Sequence, residues 1–132
     1  MFFPNEKELV DEFYMTEKEI RQLHDYGMVI GGHTVNHFVM SKLTVDQQKR
    51  EIEDSFNFLE SIIGSFFLKS FSYPYGGFHT FTHGTEQLLE KALCDFSFMF
   101  EARDITSGDL SKRRQALPRY DCNVFPYGKC RN

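Results

Sequence analysis

The chain lacks several features that would place it in a special class of protein. No apolar run approaches the roughly 18–20 residues that a membrane-spanning helix needs. The net charge of −4 at pH 7 provides no basic excess, so we expect neither a nucleic-acid partner nor binding to a membrane surface. The N-terminus turns acidic without a basic segment followed by an apolar one, and we therefore expect no signal peptide.

Cysteine is scarce, and its spacing is irregular. The chain has three cysteines, Cys94, Cys122 and Cys130, and no C-x-x-C pair. Free thiols in a cytoplasmic protein are the simplest interpretation. In an oxidising compartment, Cys122 and Cys130 could instead close a small loop. Cys94 stands beside apolar residues, so we expect it in the core.

What is present suits one globular domain that spans residues 1–132. The chain is 41% hydrophobic and 26% charged, which is ordinary for such a domain. Fifteen phenylalanines, with no tryptophan, supply an aromatic core. No linker or internal repeat divides the sequence.

Helix signals are clear in the first half of the chain. Capping boxes at Thr16 and Thr44 predict two helix starts, and Gly27 and Gly64 predict where these helices end. An apolar stripe on the second of these helices predicts its core-facing side: Ile52, Phe56, Leu59 and Ile63.

Strand-like segments alternate with these helices. We predict strands over residues 28–30, 66–73 and 95–101, with a third helix that starts at Thr82 or Thr85 and includes Leu93. From Ile105 the chain is predicted to be polar and irregular until residues 116–120, ALPRY. This alternation predicts an α/β fold with a parallel sheet and helical crossovers.

Two histidines follow the first predicted strand and a pair of glycines. His33 and His37 are four residues apart, so their ring nitrogens can meet at one point if a helical turn carries them. Neutral imidazole is a common metal ligand, and α/β proteins build their sites at strand ends. The pattern therefore predicts part of a metal site; the alternative is two polar histidines held by hydrogen bonds.

Two motifs resemble those of the polysaccharide deacetylase (carbohydrate esterase) superfamily. Residues 33–37, with the sequence HTVNH, resemble its H-[S/T]-x-x-H motif, and residues 71–76, FSYPYG, resemble its aromatic-Pro-Tyr-Gly turn. One long capped helix separates the two motifs. Residues 117–119, LPR, are similar to a late segment of some members. The resemblance extends over most of the chain, from about residue 2 to residue 120.

The resemblance implies a fold and an activity. The fold would be a partial (β/α) barrel of the polysaccharide-deacetylase type with a parallel sheet. The activity would be metal-dependent removal of N- or O-acetyl groups from a carbohydrate, such as the precursor of a glycan. His33 and His37 would ligate a divalent metal, which is typically zinc and sometimes cobalt or nickel in this family.

The resemblance also implies supporting roles around these ligands. Thr34 would brace the ligand loop by hydrogen bonding. Tyr75 would donate its backbone N–H to the oxyanion of the tetrahedral intermediate, within a turn that Pro74 and Gly76 support. The alternative for Tyr75 is that it serves only as a turn residue.

The sequence departs from the family pattern in ways that bear on catalysis. The Asp-Asp motif that supplies the third ligand and the general base is missing upstream of His33, and the late Leu-x-His motif is not visible. Ser72 stands where many members have arginine.

Barrels of this kind need about 250 residues, so we expect this chain to be the later part of a longer protein. Residues 2–4 resemble the end of an early strand. We expect weak activity from this chain alone, with a homo-oligomer or a partner chain covering its open sheet edges.

Four further residues are weaker candidates. Arg119 would replace the charge missing at Ser72, or it is a surface arginine. Asp121 is a candidate ligand or base, or a turn residue. His79 and His83 repeat the spacing of the first pair and are candidate replacement ligands, with a surface loop as the alternative. Two other hypotheses for the whole chain stay open: an inactive deacetylase-like binding module, and a site completed across an oligomer.

Overall fold

The structure is a computed structural model that describes residues 5–126. Its α-helices are α1 (Glu6–Phe13), α2 (Glu17–Asp25), α3 (Val45–Ile63), α4 (His83–Lys91) and α5 (Ser107–Lys112). Its strands are β1 (Gly31–Gly32), β2 (Ser70–Ser72), β3 (Phe96–Phe100) and β4 (Leu117–Arg119), and 3₁₀ turns cover Met40–Lys42 and Cys122–Val124. Residues 2–4 and Cys130 lie outside the described residues.

The four strands form one parallel sheet in the order β1-β2-β3-β4. Helix α3 connects β1 to β2, α4 connects β2 to β3, and α5 connects β3 to β4. Strands that are adjacent in sequence and in space, with helical crossovers, form one arc of a (β/α) barrel. The α/β class and the parallel sheet are therefore confirmed.

The helix ends follow from local chemistry. Capping boxes are present at Thr16 and Thr44, and each such cap contributes about 1 kcal/mol. Gly27 and Gly64 both have a φ of 86°, the left-handed conformation that glycine adopts at helix ends. Helix α4 is capped by Thr82 rather than by Thr85.

The core lies between the sheet and the crossover helices. Ile52 and Phe56 of α3 are 1% and 2% exposed, and they share one buried cluster with Phe71, Tyr73 and Met99 from the sheet region. Burying each such side chain contributes about 1.5–3 kcal/mol. The predicted stripe is confirmed at Ile63 as well, whereas Leu59 is only half-buried. Cys94 is buried, as expected.

The predicted strand over residues 28–30 is wrong. Met28 and Val29 are about half exposed, and the strand consists of Gly31–Gly32. A Cβ at Gly31 would come within 2.5 Å of Ser70 Oγ, and one at Gly32 within 3.1 Å of the Phe56 and Phe71 rings. Glycine therefore forms this strand because the neighbouring elements pack too closely for a side chain.

Other segment boundaries also differ from the prediction. The strand predicted over residues 66–73 is limited to Ser70–Ser72. Leu93 follows α4 in a left-handed conformation with 79% of its surface exposed, so it does not belong to the helix. The chain after Ile105 is not wholly irregular, because Thr106 and Asp109 form a capping box that starts α5. Within the described residues, no helix is long and apolar enough to cross a membrane.

Candidate metal centre

The two predicted histidines converge at the C-terminal end of β1. The ring centroids of His33 and His37 lie 4.8 Å apart with the ring planes at 62°. The expected helical turn is absent; an irregular loop carries both residues. The loop bends because Thr34 and His37 have φ values of 67° and 56°. Each non-glycine residue in this region costs about 1–3 kcal/mol, so the surrounding structure must hold the loop in place.

Thr34 makes a hydrogen bond within this loop. Its Oγ1 accepts a hydrogen bond of 3.0 Å from the backbone N–H of His37. The contact closes the turn between the two histidines and offsets part of the cost of their backbone conformation. Thr34 therefore helps to set the positions of His33 and His37 without being a candidate metal ligand itself.

His33 is held in one tautomer. Its Nδ1 donates a hydrogen bond of 2.6 Å to the backbone carbonyl oxygen of Ser72 at the end of β2, because a carbonyl can only accept. The neutral ring then carries its lone pair on Nε2, which is the usual arrangement of a metal-ligating histidine. Burial lowers the pKa of His33, the Ser72 carbonyl raises it, and His37 and Arg119 lower it, so that the net shift is downward.

The turn after β2 lies beside the histidine pair. The Tyr75 ring packs edge-on against His37 with centroids 4.8 Å apart. Gly76 donates its N–H to the Pro74 carbonyl at 2.7 Å, which makes Tyr75, with φ 63°, the centre of a tight γ-turn. Within the described residues the Tyr75 N–H donates no hydrogen bond.

Arg119 reaches this turn from β4. Its guanidinium donates hydrogen bonds to Ser72 Oγ and, at 3.3 Å, to the Tyr73 carbonyl oxygen. A Cβ at Gly76 would lie 2.7 Å from the Arg119 Nη2, so only glycine leaves room for this contact. Arg119 is thus not a free surface residue: its positive charge lies over Ser72, the position where the resemblance expects an arginine.

The remaining candidates do not join the pair. His79, His83 and Asp121 are exposed, as His33 and His37 are, and they do not complete a group of three candidate ligands with that pair. Among the side chains that the structure describes, no group of three or more His, Cys, Asp or Glu is arranged to hold a metal ion. The two imidazoles suit a borderline ion such as zinc, so they fit two of the three protein ligands that a catalytic zinc site normally has.

Comparison with known families agrees with the two motifs. The sequence model of the polysaccharide deacetylase family matches residues 1–92. The chain belongs to this family. No curated protein sequence matches the chain.

The structure is similar to that of a solved deacetylase. The Streptococcus pyogenes deacetylase PplD, solved in complex with acetate, superimposes with a TM-score of 0.70 at 20% sequence identity. The match covers 84% of this chain and 47% of PplD, so the chain spans about half the length of that deacetylase. The fold is therefore a partial barrel of the polysaccharide-deacetylase type.

Glu51, which contacts the histidine loop, was missed by sequence reasoning. It lies on α3, is 8% exposed, and its carboxylate accepts hydrogen bonds from Val35 and Asn36 of the histidine loop. Burial raises the pKa of Glu51, but the hydrogen bonds from Asn36 and Val35 lower it by more, so the net shift is downward. The available signal was an acidic residue directly before the buried Ile52 on the helix that follows the histidine motif.

Proposed function

We propose that this chain contributes the metal-binding and oxyanion-stabilising part of a metal-dependent deacetylase that acts on acetylated carbohydrates. The observation that carries the proposal is the convergence of His33 and His37 at the end of β1, next to the Tyr75 turn. Family membership supports the acetylated carbohydrate as substrate class. The substrate would be an N- or O-acetylated sugar or glycan precursor.

The side chains have separable roles in this proposal. His33 and His37 would hold a divalent ion, zinc or else cobalt or nickel. When bound, the ion would polarise the acetyl carbonyl and acidify a water molecule. Ser72 fixes the tautomer of His33 through its carbonyl oxygen. The backbone N–H of Tyr75 would donate to the oxyanion, and Arg119 would orient a carboxylate near Ser72.

A second candidate function is an inactive deacetylase-like module that binds a sugar or a partner. It is favoured by one observation: among the described residues, no group of three or more His, Cys, Asp or Glu side chains is arranged to hold a metal ion. A related possibility is that the third ligand comes from another copy or another chain. The outer edge of β1, which pairs only with β2 among residues 5–126, would then accept the additional segment.

Acetate release distinguishes an active chain from an inactive one. The purified chain is incubated with acetylated chito-oligosaccharide or acetylated xylan, with and without added zinc or cobalt. We expect slow acetate release that requires the metal and disappears in His33→Ala, while His79→Ala behaves as the unmodified chain. No release with either metal in excess would contradict catalysis by this chain and favour the inactive module.

A further inference from the structure

The histidine loop is held from one side by a single carboxylate. Glu51 Oε2 accepts hydrogen bonds of 2.9 Å from both the Val35 and the Asn36 backbone N–H groups. Its Oε1 accepts one of 2.5 Å from the Asn36 side-chain amide. All three donors belong to the two residues that lie between Thr34 and His37. One buried anion therefore binds the centre of the loop that carries both imidazoles.

The loop needs such an anchor because of its backbone conformation. Thr34 and His37, on either side of the bound segment, are both in the left-handed region that favours glycine. Non-glycine residues stay there only where the surroundings fix them. The Thr34 hydrogen bond to His37 N–H links the loop to itself, whereas Glu51 links it to α3, a helix of 19 residues packed against β1.

Within the part of the chain that the structure describes, the Glu51 carboxylate accepts hydrogen bonds from these loop donors alone. No lysine or arginine among the described residues forms an ion pair with it. A buried carboxylate needs partners, and the partners of Glu51 are N–H groups of the loop rather than a cation on a neighbouring element. Its contacts therefore match a role in shaping the loop.

We propose that Glu51 is a positioning residue, whose carboxylate fixes Val35 and Asn36 so that the His33 and His37 rings converge on one ion. The claim that the two rings converge on one ion rests on the proposed function. The claim that Glu51 fixes the conformation of Val35 and Asn36 is independent of it. Partners that orient ligands in this way typically change metal affinity about 10–100-fold when they are replaced.

The test compares Glu51→Gln with Glu53→Gln. Glutamine keeps the size of the side chain but loses the charge, and its amide nitrogen cannot accept a hydrogen bond. Glu53 is the matched control, because it is exposed on the same helix and its ion pair with Lys49 is long, at 3.8 Å. Two quantities are measured on each folded variant: amide hydrogen exchange at Val35 and Asn36 without metal, and Co²⁺ affinity from the visible spectrum.

For Glu51→Gln we expect faster exchange confined to the loop and a Co²⁺ affinity about 10–100-fold weaker. Glu53→Gln should match the unmodified chain in both the loop hydrogen exchange and the Co²⁺ affinity. A merely structural role predicts a different result, with faster exchange along α3 and unchanged Co²⁺ affinity, and that result would overturn the proposal. Protected amides at Val35 and Asn36 in Glu51→Gln would also overturn it.

Asn36→Ala provides a second variant in case Glu51→Gln does not fold. It removes only the side-chain contact to Oε1 and leaves both backbone donors in place. We therefore expect a smaller increase in loop hydrogen exchange and a smaller loss of Co²⁺ affinity than in Glu51→Gln. If the unmodified chain binds no Co²⁺, the proposed function fails. The exchange at Val35 and Asn36 then decides by itself whether Glu51 fixes the loop.

Discussion

At the residue scale, the two motifs were visible in the sequence because each is contained in six residues or fewer. The spacing of His33 and His37 predicted a pair, and the structure brings their rings to 4.8 Å. The contacts that organise the pair were not predictable. Ser72 is 39 residues from His33, and Glu51 is 15 residues from Asn36, so only the folded chain brings them together.

The role of Tyr75 leads to a prediction at this scale. Because its backbone N–H is the proposed donor, Tyr75→Phe should keep acetate release within about twofold, against the loss of about 10²–10³-fold that follows removal of an oxyanion donor. Tyr75→Gly, which also keeps the N–H and accepts a φ of 63°, is the companion variant. A loss of 100-fold or more in Tyr75→Phe would assign the role to the phenol hydroxyl instead.

At the element scale, helix starts were predicted better than strands. A capping box is a local signal, and those at Thr16 and Thr44 were confirmed. The α5 box was missed because Asp109 takes the place of the usual glutamate or glutamine. Strand limits depend on partners far along the chain: Gly31 pairs with Ser70, and nothing near residue 31 in the sequence reveals that register.

Helix α3 links the core to the site, which gives a prediction about stability. Phe56 is 2% exposed and packs on Phe66 and Phe71. Phe56→Ala should therefore lower the free energy of unfolding by about 3–5 kcal/mol, measured by urea denaturation. Asn57→Ala, at an exposed position on the same helix, should change it by no more than about 0.5 kcal/mol. Similar values for the two variants would contradict the assignment of Phe56 to the core.

At the scale of the whole molecule, the alternation of helices and strands predicted the parallel sheet, and four consecutive strands confirm it. The family motifs predicted the type of barrel, and the similarity to PplD agrees over about half of that protein. The sequence offered Asp121, His79 and His83 as candidate further ligands, but among the described residues no group of three or more His, Cys, Asp or Glu side chains is arranged to hold a metal ion. A metal site at the end of β1 therefore requires either that the two histidines bind an ion by themselves or that a further ligand comes from elsewhere.

Zinc titration followed by NMR of the histidine imidazoles shows whether His33 and His37 bind a metal ion together. We expect saturable shifts at His33 and His37, with no change at the exposed His79 and His83. Binding should be lost in both His33→Ala and His37→Ala and kept in His79→Ala. The absence of saturable shifts in the unmodified chain, or zinc binding that survives both substitutions, would contradict a metal site at the end of β1.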